Sequence, residues 1–201
     1  MKIFGLTPER ANPTSGHGTS PATSLGFAIG YGSVSFGAVS VLAYSIWAYH
    51  LIPGAAAMYS TTALVYVGLA GLALSRLVDP PRSRRRFPLL FAAVFVVYAV
   101  GWCAFWFGLR GKHQADLFGA AAGLAAVTAM LQGAFGRRGG FLRLFGVLFA
   151  LHSAGYYLGG ELYGVVHGAT GRLLWGAAHG LGFGAGLGYV LHQSQVVDQE
   201  K

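Results

Sequence analysis

The sequence predicts an all-α, polytopic integral membrane protein in which six transmembrane helices form a compact bundle. Three observations predict it. Of 201 residues, 54% are apolar or aromatic and only 10% are charged, against roughly 25% charged in a soluble domain. Six apolar segments each reach about 20 residues, enough to cross a hydrocarbon core about 30 Å thick. The basic residues, finally, gather on alternate connections.

In chain order, residues 1–24, with TPERANPTSGHGTSPATS at their centre, are rich in Ser, Thr, Pro and Gly and lack an apolar run of their own. They are expected to form a flexible cytoplasmic tail, not a cleaved signal peptide. The six-helix domain then occupies 25–193, with spans at 25–51, 55–77, 87–109, 115–135, 141–166 and 171–193, separated by short turns or charged loops. The first span serves as an uncleaved anchor. Between the second and third lies the run RSRRR, read as a basic loop whose Arg82, Arg84, Arg85 and Arg86 meet anionic lipid headgroups. That explanation of the formal charge of +8 leaves no need for a nucleic-acid partner. The third span holds the one cysteine, Cys103, which is expected to pack and has no internal disulfide partner. Residues 194–201 are a short polar tail.

Orientation follows from counting. With the N-terminus inside, the inner side holds Lys2, Arg10, Arg76, Arg82, Arg84, Arg85, Arg86, Arg137, Arg138, Arg143 and Lys201, and the outer side Arg110, Lys112 and Arg172. Eleven against three places both termini in the cytoplasm and the chain in a cell inner membrane. Trp47, Tyr49, Tyr59, Trp102, Trp106, Tyr163 and Trp175 then fall toward the outer ends, as an interfacial belt would.

The last two helical hairpins resemble each other. At a shift of 54, FPLLFAAVFVVYAVGW lies over FLRLFGVLFALHSAGY, matching at Phe87, Leu90, Phe91, Phe95 and Gly101. After three extra residues, LFGAAAGLA lies over LWGAAHGLG with six of nine positions identical. Both copies enter from the same side, so the expected duplication is parallel. It breaks where chemistry enters: His152 faces Tyr98 and His179 faces Ala122. At about 1.5 Å per residue both histidines lie near mid-membrane on adjacent antiparallel helices, so they could meet.

The sixth segment carries glycine at every second position in HGLGFGAGLGY. Gly176, Gly180, Gly184 and Gly188 form one smooth stripe, and Ala178, Gly182 and Gly186 another on the opposite side. Small residues at this spacing let helices approach closely in lipid, and two stripes imply two close neighbours. Unravelling is opposed because it would leave backbone groups unpaired in hydrocarbon.

His179 shares a face with Gly182, Phe183 and Gly186, and His152 shares one with Gly155, Tyr156, Gly159 and Tyr163. An ionisable group within a span is by default a functional candidate, so His152, His179 and Tyr156 form the expected ligand or proton site. A neutral histidine making one interhelical hydrogen bond is the plainer reading. Glu161 faces away from His152 on the fifth helix and is read either as an ion-pair partner of Arg172 or as an acid controlling access of a cation or proton. Asp79 and Asp116, at helix ends, are read as solvated, and His17, His50, His113, His167 and His192 are given no chemistry.

The pattern lacks GxSG with a distant histidine, HExxH, and cysteine pairs at ligand spacing, which argues against a lipid hydrolase or metalloenzyme. The expected function is a small permease or channel for a small solute or ion, with no cofactor and no bound metal. Few polar residues line any path: Ser33, Ser35, Ser40, Thr128 and Gln132. An alternative is a membrane redox protein in which His152 and His179 are the axial ligands of haem b. The stretch ALHSAGYY, after an Arg- and Gly-rich loop, resembles the haem-ligating helix of ferric-reductase-type six-helix membrane proteins, over that one helix; the further histidines those families use on a non-adjacent helix are lacking here. A third reading is a non-catalytic subunit whose glycine stripes meet a membrane complex partner or a second copy of the chain.

Overall fold

The computed structural model describes residues 23–79, 81–137 and 139–195. Lys2, Arg10, His17, Arg138, Lys201, the side chain of Arg82 and most of the two expected tails lie outside the described residues. Within them the chain forms α1 Leu25–Ala48, α2 Ala55–Leu74, a 3₁₀ turn Ser75–Leu77, α3 Pro81–Gly108, α4 Ala115–Phe135, α5 Phe141–Val166 and α6 Gly168–Gln195. No strand occurs among the described residues. Five helices are long and apolar enough to cross a membrane: Leu25–Ala48, Ala55–Leu77, Ser83–Gly108, Ala115–Phe135 and Phe141–Val166. Their outer faces suit lipid, since Val34, Leu64, Leu89, Leu142 and Val165 are 68% to 79% exposed, which water would penalise heavily.

The sixth expected span differs from the other five. It forms a helix of 28 residues but falls outside the apolar group, because its glycines and its Arg172, His179, His192 and Gln193 dilute the hydrophobic side chains. The helix tolerates this composition because it packs between α1 and α5 and also touches α4, so protein covers much of the surface that lipid would otherwise meet. The remaining helices pack in chain order, α1 on α2, α2 on α3, α3 on α4 and α4 on α5. Below, the near end is the one with the start of α1 and the finish of α6, and the far end is the opposite one.

The two stripes of α6 meet different neighbours. Gly176 packs against Tyr44, Gly180 against Gly37 and Ser40, Gly184 against Gly32 and Phe36, and Gly188 against Ala28 and Ile29, all on α1. On the other side Ala178 meets Gly155, Gly182 meets Leu151 and Gly155, and Gly186 meets Leu148, all on α5. A Cβ at Gly184 or Gly188 would collide with the carbonyl oxygen of Gly32 or Ala28. Between these helices and α3, Phe36, Phe91, Phe183, Leu148 and Leu187 are fully or almost fully buried, with Phe36 edge-on to Phe183 at 5.2 Å.

At the near end the arginine run departs from its expected loop. Proline suits the first position of a helix, where its missing N–H goes unneeded, and α3 begins at Pro81, so the run forms its opening turns. Arg84 folds back: its Nε donates to the Val78 carbonyl at 2.8 Å and its guanidinium pairs with Asp79 at 3.0 Å. Asp79 is thus paired, not merely solvated. Pro88, one turn on, sits inside α3 and removes the N–H that would reach the Arg84 carbonyl. Its Cα packs on Gly71 of α2. Ser194 and Gln195, expected in a tail, extend α6: Ser194 is buried, and the Gln195 amide accepts from the Asp79 N–H at 2.8 Å and donates to the Leu77 carbonyl at 2.9 Å.

Replacing Gly184 by alanine is expected to lower the unfolding free energy in detergent by about 1–3 kcal/mol, the usual cost of overpacking. Alanine at Gly133 or Gly146, where nothing lies within 4 Å of a new Cβ, should leave it unchanged or slightly raised; chemical denaturation of the three variants compares them directly.

Candidate functional site

The close α5–α6 contact brings His152 and His179 together in mid-helix. Their Nε2 atoms are 3.2 Å apart, with rings nearly perpendicular and centroids 4.9 Å apart. Tyr98 of α3 completes a trio, its hydroxyl 2.9 Å from His152 Nε2. Phe183 packs edge-on against His152 at 4.8 Å and stacks on His179 at 5.8 Å. His152 is 2% exposed, Tyr98 9% and Phe183 2%. His179 is only half-buried, yet its Nδ1, like that of His152, is buried without a hydrogen-bond partner.

This geometry restricts the protons. A neutral imidazole has one N–H and one bare nitrogen, and His152 Nε2 is approached by two groups at once. If it is bare, either the Tyr98 O–H or the His179 N–H donates to it; if it carries the proton, it donates to one of them. Only one of these bonds is fully formed at a time, so a proton can be relayed among Tyr98, His152 and His179 with little movement of heavy atoms. Leaving the two Nδ1 atoms unpaired costs on the order of 1–3 kcal/mol each.

A cleft of about 200 Å³, counting its open mouth, approaches the trio between α3, α4 and α5 and is lined by Trp102, Asp116, His152, Ser153, Tyr156 and Tyr157. Asp116 stands in the first turn of α4 at the far end, where the helix dipole favours a carboxylate, and its Oδ1 accepts the Leu117 N–H at 2.9 Å. Ser153 Oγ is buried and unpartnered. Tyr156 is half-buried and stacked parallel to His152 at 6.3 Å. The cleft therefore runs from a carboxylate at a helix end to a buried imidazole.

Glu161 belongs to neither arrangement. It is exposed on α5, and the expected ion pair with Arg172 is not formed, the Arg84–Asp79 pair being the one salt bridge among the described residues. The reason is where α6 starts. It begins at Gly168, reducing the expected turn to His167 at φ 56°, and Arg172 then projects toward the end of α1. There its guanidinium donates to the Trp47 and Ala48 carbonyls at 3.5 and 3.3 Å, lies 3.1 Å from His50 Nε2 and sits 4.8 Å over the Trp47 ring. A cation capping a helix C-terminus satisfies carbonyls that have no partner within the helix. Several sparse polar residues are likewise occupied with backbone: Ser33 donates to Leu181, Thr128 to Leu124 and Gln132 to Gly139.

A haem iron between His152 and His179 does not fit these residues. Two axial ligands approach iron from opposite faces of a flat macrocycle, whereas these nitrogens already lie within hydrogen-bonding distance. The helices carrying them touch through backbone at Gly155 and Ala178, and Phe183 fills the space beside both rings.

The sequence reading does not assign Tyr98, Asp116, Ser153 or Trp102 to the site. Tyr98 had a signal, since it aligns with His152 at the shift of 54; Asp116 had a weaker one, as an acid in the opening turn of an apolar span. Comparison of the chain with protein-family models, curated proteins and solved structures finds no match.

A double-mutant cycle between Tyr98→Phe and His152→Phe, measured by unfolding in detergent, is expected to give a coupling of about 0.5–1.5 kcal/mol. The corresponding cycle between Glu161→Gln and Arg172→Gln should give a coupling indistinguishable from zero.

Proposed function

We propose that this protein is a small multi-pass inner-membrane permease that admits a small solute or ion from the far side through the cleft and passes it by the Tyr98, His152 and His179 trio. The observation that carries the reading is the line of groups from Asp116 through Tyr156 to His152. Hydrogen-bonding groups so deep in an apolar bundle, below a carboxylate at its far end, are expensive and suit a transport path. Toward the near end the path stops at Phe36, Phe91, Phe183, Leu148 and Leu187, an apolar layer of the kind that closes one side while the other is open. No catalytic group is assigned.

With α6 taken as a sixth crossing both termini fall on one side, and the count of basic residues favours the cytoplasm for that near end. Arg84, Arg85 and Arg86, on the opening turns of α3, then lie at the level of anionic headgroups. A parallel duplication of α3–α4 and α5–α6 draws support from equivalent contacts. Tyr98 and His152, equivalent by the shift of 54, touch each other, as residues beside a two-fold axis do. Gly101 approaches Ala122 and Gly155 approaches His179; Phe105 stacks on Phe118 where Gly159 packs on Trp175. Transport sites commonly lie at such repeat interfaces near the midplane.

Reconstituted into vesicles, the protein should carry a small solute at a rate reduced at least about tenfold by Asp116→Asn and by His152→Ala, with Glu161→Gln unaffected. Equal flux in all four proteins would remove the cleft as the path. A reporter fused near Arg85 should be active on the cytoplasmic side.

A further inference from the structure

We infer that the cleft selects a small cation bearing N–H groups, ammonium or methylammonium, with Asp116 as its counter-charge; the inference rests on the transport reading of this same cleft. Charge gives the sign. Asp116 is the one formally charged side chain lining the cleft, so an anion would be repelled and would meet no lysine or arginine. An apolar neutral solute would leave the charge of the carboxylate uncompensated in the cleft.

The walls give the class. Trp102, Tyr156 and Tyr157 line it, and aromatic rings attract cations, tryptophan most strongly. At the inner end His152 and Ser153 each hold a buried, unpartnered polar atom, Nδ1 and Oγ. With its one proton on Nε2, donated to Tyr98 or His179, His152 presents a bare Nδ1 that accepts hydrogen bonds, as do the hydroxyl oxygen and the carboxylate. The cleft is therefore supplied with acceptors and suits a cation that donates. Alkali cations are less suited, because hard cations take shells of several oxygens and gain little from an imidazole nitrogen. Size narrows the choice: the enclosed part of the cleft has room for a species about the size of one water, which ammonium matches, methylammonium matches with its methyl group in the open mouth, and tetramethylammonium exceeds.

The test uses the full-length protein in detergent, following its thermal unfolding during titration with ammonium, methylammonium, sodium, potassium or tetramethylammonium chloride at constant ionic strength. A ligand of the folded state raises the midpoint saturably. Ammonium and methylammonium are expected to do so and the other three not. Asp116→Asn should weaken the response at least about tenfold, Asp116→Glu should retain it, and Glu161→Gln should leave it unchanged. A response as large with sodium as with ammonium, no saturable response to either nitrogen cation, or one that Asp116→Asn leaves intact overturns the assignment. Uptake of labelled methylammonium into proteoliposomes separates the two readings. Saturable binding without uptake upholds the cation site and defeats transport; flux of an uncharged solute that His152→Ala blocks, without cation binding, defeats the cation site and leaves transport standing.

Discussion

Everything in this bundle hangs on how closely α6 can approach two helices at once. Along one side, residues 176, 180, 184 and 188 lie against α1, and along the other, residues 178, 182 and 186 lie against α5. At several of these points the neighbouring group is a backbone carbonyl, which cannot move aside as a side chain can. Inside a membrane no hydrophobic effect drives helices together, so association depends on dispersion and on the fit of such surfaces. Glycine gains that fit by giving up its side chain, and the backbone order it would lose in water is held because unpaired peptide groups are costly in hydrocarbon.

The same contact creates the polar centre. With Gly155 and Ala178 in touch, His152, one turn before Gly155, and His179, next to Ala178, are brought edge to face, and Tyr98 arrives from α3 to share the His152 nitrogen. Such a trio is stable in an apolar core only because its members bond one another. The bonding is incomplete at both Nδ1 atoms, and it is on the α4–α5 side, away from the glycine-packed seams, that the cleft reaches it. Tight packing thus sets the geometry of the histidines, and looser packing beside them gives access.

The far end shows how little distance along the chain says about pairing. Glu161 and Arg172 are close in sequence and opposite in charge, yet the guanidinium caps α1 and lies over Trp47. A helix end supplies carbonyls with accepting capacity to spare, and here a flat ring face besides, where an exposed carboxylate would supply one well-solvated charge. Asp116 reaches the site in spite of standing at a helix terminus, because the first turn of α4 is packed beside Trp102 and Tyr157.

Much of the architecture was legible in the residues alone, since apolar length and glycine spacing are local properties. The five apolar helices, the two faces of α6 and the meeting of His152 with His179 follow from periodicity, because a helix of known pitch dictates which side chains share a side and at what depth. Helix ends were less legible. Pro81 starts α3 early, beside the local Arg84–Asp79 pair, and Gln195 extends α6 because its partners Asp79 and Leu77 are distant in the chain. What the sequence determined by itself is the helical membrane class and the stripes along each helix. Which stripe meets which neighbour, that Tyr98 joins the histidines, and that Asp116 in place of Glu161 stands at the mouth were decided only by tertiary structure. Periodicity gives a side chain its direction about its own axis, while the rotation and offset of one helix against another come from packing across the whole bundle.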